Sequence, residues 1–280
     1  MKKVLLMAIA ILSTLAIMAC QESNQETNDT QTERETLIVG MEAAYAPFNW
    51  TVSENDRFED AYPLDGTNNY VDGYDVQVAI TIAQELDMDL VIKAVEWDGL
   101  IPSLINTEEI DLIIAGMSPT AERAETVNFT SAYYSSTHVV VLKSDSTYAN
   151  ASSINDFEGA SMVGQLSTIY DDVIEQMSGA IHEDPLSDVP TIITAINNDI
   201  YDGTVLELPV AMAVIETNPN LTYIEFSEGN GFNVSFEDKD VSIALRQTDT
   251  DLLEQINNIL ASISNEQREN MMADAINRQP

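Results

Sequence analysis

The chain has 280 residues and sets 47 Asp and Glu against 11 Lys and Arg, a formal net charge of −36. A field of that sign repels nucleic acid and anionic membrane, and at low salt it draws cationic solutes. A single cysteine, Cys20, excludes a disulfide within the chain and any cysteine-based metal site or catalytic dyad elsewhere in the fold.

In chain order, Lys2 and Lys3 precede an apolar run from Val4 to Ile17 that only Ser13 and Thr14 interrupt. That is the pattern of a secretory signal over residues 1–19. The run is too short for a stop-transfer helix, and no later window approaches the ~20 apolar residues a membrane span needs, so the mature protein is expected to be soluble. Ile17-Met18-Ala19-Cys20 resembles a bacterial lipobox, with Met18 departing from the usual small residue. The resemblance implies lipidation of Cys20; cleavage beside an incidental cysteine is the plainer alternative. Acyl chains at ~0.8 kcal/mol per buried methylene would anchor the protein. Residues 21–35 contain no apolar side chain, so 20–35 reads as a flexible tether.

From Thr36 on, short β-branched runs alternate with helical periods, as in an α/β protein. Leu37 to Val39 reads as a strand entering Gly40. Val76, Ala79, Ile80, Ala83 and Leu86 share a helical face, with Asp75 a candidate N-cap. A strand from Leu90 to Val95, a helix from Leu100 to Ile105 and a strand from Asp111 to Ala115 complete a βαβ unit, which implies parallel pairing. His138 to Leu142 reads as a strand crossing between lobes. A second set follows: strand Ala160 to Val163, helices Thr168 to Met177 and Pro190 to Asn197, strand Thr204 to Leu206, helix Pro209 to Thr217 and strand Leu221 to Phe226. Ser227 to Asp240 is the return connection, Val241 to Leu245 a strand, and helices around Leu253–Ile263 and Glu266–Ile276 close the chain. The organisation is one discontinuous lobe, residues 36–138 plus 241–280, and an inserted lobe, 139–240, with a hinge between them. Thr51 to Asp72 is read as a surface hairpin or flap. Asp65, Thr67, Asn69 and Asp72 faintly resemble a calcium loop, but the glycine falls at the wrong place for an EF-hand.

The central motif is Gly116-Met117-Ser118-Pro119-Thr120-Ala121-Glu122-Arg123, directly after DLIIA. A guanidinium takes a carboxylate by two parallel hydrogen bonds, and nearby hydroxyls and amides complete the shell. Alone, Arg123 reads as a surface residue paired with Glu122 or Glu125. VEWDGLIPSL, EEIDLIIAGMSPTAERAETVNFTSAYY, GYDV and AYAPFNW, in this order and spacing, resemble the type 2 periplasmic-binding-protein fold of family 3 solute-binding proteins of polar amino acid ABC transporters. The resemblance runs from residue 37 to about 279.

It implies two α/β lobes, each a mixed, mainly parallel sheet flanked by helices, joined by two crossing strands. It implies that Arg123 clamps a ligand α-carboxylate, with Gly116, Met117 and Ser118 beside it. Thr168, followed by Ile169, matches a helix start that meets the same carboxylate, where Ser167 replaces the usual glycine. A helix N-terminus suits an anion in any family, although Ser167 and Thr168 would also serve as simple caps. Glu207 falls where the family places an acid for the ligand ammonium; Tyr45 and Tyr74 match aromatics flanking the ligand side chain. Glu42 falls where family members often carry an acid at the ligand's distal end, and Gln165, at a variable position, would equally serve an amide; together with Glu207 this ranks a basic amino acid just above glutamine. Trp97 reads as a core aromatic. The implied partners are an amino acid, an ABC permease with its ATPase, and the membrane through Cys20; no nucleic acid or cofactor is expected, and the protein is expected to be a monomer. An enzyme on the same fold and a ligand-sensing lipoprotein are the competing classes, since fold alone does not decide.

Overall fold

A computed structural model describes residues 34–54, 60–235 and 237–279. The signal, Cys20 and all of the tether before Arg34 lie outside the described residues. Two five-stranded sheets, a four-stranded sheet and a two-stranded ladder organise the rest.

In the first sheet, Thr36–Met41 pairs in parallel with both Asp89–Ala94 and Leu112–Ile113. The crossovers are the helices Tyr74–Glu85 and Leu100–Ile105, as parallel pairing requires. Ala244–Arg246, far along the chain, enters antiparallel between Leu112–Ile113 and Val127–Phe129. The second sheet runs Ile181–His182, Ser161–Met162, Gly203–Glu207, His138–Lys143, Leu221–Ile224. Its first three strands pair in parallel, and His138–Lys143 is antiparallel to both neighbours. The interior of His138–Lys143, Val139 to Leu142, is apolar throughout because both faces are covered. Val139 and Val141 face the core shared with the first sheet, while Val140 and Leu142 face a second core with Phe157, Met162 and Ile174. That alternation is the period of two expected of a strand.

Several expectations change. His138 to Leu142 does not itself cross between the sheets. The chain passes through Tyr134–Ser135 and returns through Asp240–Val241, which pair antiparallel. The expected strand Val241 to Leu245 is split accordingly into Asp240–Val241 and Ala244–Arg246. The helix expected from Thr168 to Met177 is one α-turn, Ile169–Asp172, continued by a 3₁₀ turn, Val173–Gln176.

Asp75 is not a cap. Gly73 holds that position at φ 138, where a Cβ would meet the Phe48 carbonyl oxygen at 2.1 Å, so only glycine fits. Thr51 to Asp72, read as a surface hairpin or flap, does contain a hairpin, Tyr62–Pro63 against Tyr70–Asp72, but it is bound into a larger sheet rather than free. Its described part joins Ala44–Tyr45 in an antiparallel sheet with Asn49–Val52, Tyr70–Asp72 and Tyr62–Pro63. Trp50, Val52, Leu64 and Val71 are buried there. Asp72, 0% exposed, accepts two hydrogen bonds from Arg278 at 2.8 and 3.0 Å, which ties the last helix, Asn265–Arg278, to this sheet.

Candidate ligand-binding site

The cleft between the two five-stranded sheets begins where strands end. Leaving Leu112–Ile113, the chain turns at Gly116 with φ +61, and a Cβ there would lie 2.9 Å from Tyr45 Cε1. The absent side chain lets the Tyr45 ring lie against the backbone. Thr120 then caps the short helix Ala121–Ala124 by accepting from the Arg123 amide at 3.3 Å, which presents the Arg123 side chain to the cleft.

Arg123 donates from Nη1 to the Ser118 carbonyl at 2.8 Å and from Nη2 to the Ser167 carbonyl at 2.9 Å. Its guanidinium also lies 5.1 Å from the Trp97 ring centre, a cation–π distance. The Trp97 indole donates to the same Ser167 carbonyl at 3.2 Å. Arg246 and Arg278 pair with carboxylates, whereas no carboxylate pairs with Arg123 among the described residues. Burial pulls the guanidinium below its ordinary value.

On the opposite wall, Thr168 is the N-cap residue of Ile169–Asp172, yet its hydroxyl makes no cap bond. It donates instead to the Gln165 carbonyl at 2.7 Å. Ser167, at the position where the family pattern has glycine, adopts φ 59, the left-handed region that disfavours side chains. That conformation turns its carbonyl toward Arg123 and Trp97. Gln165 donates to both Glu42 carboxylate oxygens, at 3.1 and 3.3 Å, and to the Ser187 carbonyl at 3.2 Å.

Of the residues singled out in the sequence, Glu42, Tyr45, Gly116, Ser118, Arg123, Gln165, Thr168 and Ile169 line a single, nearly closed cleft. Tyr74, Met117 and Glu207 are not in that lining. Tyr74 is a core residue, stacked on Tyr133 and donating to its carbonyl at 2.7 Å. Met117 is buried, and its carbonyl accepts from the Ser242 amide at 2.9 Å. Glu207, 1% exposed, meets the cleft through Tyr45, whose hydroxyl donates to Oε1 at 2.6 Å. Two lining residues differ from expectation. Trp97 stands at the cleft rather than in the core, and Tyr170, one residue past Ile169 in GQLSTIY, had no role assigned. Its ring packs on His138 at 5.0 Å.

A buried polar network holds the floor. Asp75 accepts from Tyr133 at 2.6 Å and from Asn49 at 2.7 Å; Asn49 in turn accepts from the Ala43 amide at 2.7 Å, and the Gly116 amide donates to the Tyr133 hydroxyl at 3.2 Å. The loops carrying Glu42 and Gly116 are thereby fixed to one helix.

This arrangement offers a cation, several carbonyls and hydroxyls and two acids across one interface. The sequence model of the bacterial extracellular solute-binding proteins, family 3, matches residues 37–274. The chain belongs to this family. As a family 3 solute-binding protein it binds a solute between its lobes. It is 27% identical over 263 residues to the arginine-binding extracellular protein ArtP of Bacillus subtilis (strain 168), covering 93% of this chain and 92% of that one. It is 22% identical over 258 residues, 92% of this chain and 87% of the other, to the L-cystine-binding protein TcyJ of Escherichia coli (strain K12). The holo structure of ArgBP from T. maritima superposes with a TM-score of 0.67 at 31% identity, covering 83% of this chain and 92% of that chain. Family 3 members of such different named ligands share the fold, so the side chains of the cleft carry the question of ligand identity.

Proposed function

We propose that this family 3 protein is the binding subunit of an ABC importer for a polar amino acid, with arginine or lysine ranked above glutamine, and that it performs no catalysis. The observation that carries the reading is Arg123: a half-buried guanidinium in the cleft, held by two carbonyls and an indole face, with no carboxylate partner among the described residues. Such a group recognises a ligand α-carboxylate by parallel charge-assisted hydrogen bonds. Gly116 and Ser118 flank it on one lobe, and Thr168 and Ile169 on the other. Glu207, behind Tyr45, takes the ligand ammonium, and Glu42 with Gln165 takes the distal group. The named ligands of ArtP and ArgBP support the basic class, and two acids with no cationic partner in the cleft fit it.

Because Arg123 and Ser118 come from one lobe and Ser167 and Thr168 from the other, only the closed form offers all of them together. A ligand shifts the open–closed balance through that difference alone. The closed form then docks on a permease and its ATPase. Cys20 carries the lipid anchor, and the protein works as a monomer; a Cys20→Ala variant should appear in the soluble fraction rather than with membranes. Calorimetry with L-arginine, L-lysine and L-glutamine tests the site. The wild type should bind at least one, and Arg123→Ala should lose about 3 kcal/mol or more of that affinity; equal affinity in the two proteins would exclude this role for Arg123.

A further inference from the structure

Glu42 lines the cleft and Glu207 stands behind Tyr45, and among the described residues neither carboxylate is paired with a cation. Glu207 is 1% exposed; its Oε1 accepts from Tyr45, and its Oε2 has no hydrogen-bond partner among the described residues. The groups facing it come from every element around it: Tyr45, Tyr170 on Ile169–Asp172, Asp75 on Tyr74–Glu85, Tyr134, and His138 opposite it in register on the next strand. None supplies a positive charge near pH 7. The three tyrosines are phenols and Asp75 is an acid. Burial lowers His138 to about 4, so its imidazole is neutral near pH 7, and neither ring nitrogen makes a hydrogen bond among the described residues. Among the described residues Glu42 hydrogen-bonds only with the Gln165 amide, and Asp188 and Glu96 act on it as further acids.

A desolvated carboxylate that meets only neutral donors, Tyr45 and Tyr170 at Glu207 and the Gln165 amide at Glu42, has no opposite charge to offset its burial, and such a group tends to take up a proton. Burial accordingly raises Glu207 to about 8 and Glu42 to about 7.

We infer that Glu207 is a protonated carboxylic acid before the ligand arrives, and that docking of the ligand ammonium expels its proton, so that amino acid capture is coupled to proton release. The inference rests on the proposed ammonium role of Glu207. The balance is simple: the Glu207 O–H bond breaks, the proton passes to solvent, and the carboxylate pairs with an ammonium that keeps all its own protons. A ligand with a second cation at its distal end draws a further proton from Glu42 by the same exchange, so arginine and glutamine differ in the protons they release. Affinity then rises with pH, by up to about tenfold per unit for each carboxylate, until both are ionised in the protein without ligand.

Two measurements test this. Infrared spectroscopy of the protein without added ligand, near pH 7, should show the carbonyl band of a protonated carboxylic acid, weakened in Glu207→Gln. Absence of that band in the wild type overturns the inference whether or not any amino acid binds, and needs no variant to fold. Calorimetric titration of the wild type with L-arginine and L-glutamine, each in phosphate and in Tris, should give binding heats that differ between the buffers, with more protons released by arginine. Binding with equal heats in both buffers overturns the inference while leaving the functional reading intact. A clear infrared band with no binding of any polar amino acid strikes the functional reading instead, and the coupling with it.

Discussion

Ser167 stands where the resemblance implies a glycine, yet it holds φ 59 and gives its carbonyl to both Arg123 and Trp97. A left-handed residue with a side chain carries about 1–2 kcal/mol of strain. Ser167→Gly relieves that strain but adds unfolded-state entropy of about 0.4–1 kcal/mol. The variant should therefore melt no lower than the wild type and keep its ligand affinity, since the contacts use the backbone; a drop of several degrees in Tm would contradict this. Titration gives a second expectation. Burial lifts Glu207 from its ordinary 4.5 to about 8, so its contribution to stability is full below about 4.5 and is lost as pH rises through about 8. Melting of the protein without ligand should fall across that window, and Glu207→Gln should flatten the fall; identical pH profiles would contradict it. Arg123 by itself read as a surface residue, and its expected place in a cleft came only through the family resemblance that the SPTAER motif helps to carry. Tyr170 and Trp97 were not legible as cleft residues, because an aromatic in a short apolar segment looks the same whether it faces a core or a cleft. Glu207 was found in the sequence, but its separation from the lining by Tyr45 depends on a contact 162 positions apart that no local pattern encodes.

Among the elements, the βαβ unit of the first sheet was readable from period and spacing, and Leu100–Ile105 falls where the pattern puts it. What escaped was pairing between distant segments. The four-stranded sheet uses strands of only two to four residues, too short to show an alternation. Its attachment through Asp72 and Arg278 joins residues 206 positions apart. Asp72 is fully buried, so removing its cation leaves an uncompensated charge, at a cost on the order of 3–5 kcal/mol. Arg278→Gln should lower the denaturant midpoint accordingly, and adding Asp72→Asn should recover much of the loss. An unchanged midpoint in the single variant would show that the terminal helix is held by its own buried Met272 and Ala275 and by Arg268 on the Ala132 carbonyl.

At the scale of the whole molecule, 47 acids against 11 bases make self-repulsion the dominant long-range force. Screening shortens from a Debye length of about 30 Å at ~0.01 M salt to about 3 Å at ~1 M. The Tm should therefore rise with added sodium chloride, and a flat response would mean that the acids are compensated locally. Against this repulsion the lobes are held together by Arg123 and Trp97 on Ser167, Gln165 on Glu42 and Tyr45 on Glu207. Each of these residues belongs to the cleft or stands directly behind it, so closure and recognition use the same groups. A thermal-shift screen of the twenty common L-amino acids against the wild type and Arg123→Ala tests this most directly. A few polar amino acids, arginine or lysine foremost, should raise the wild-type Tm and leave that of the variant unmoved; no shift with any of the twenty, or the same shift in both proteins, would contradict it.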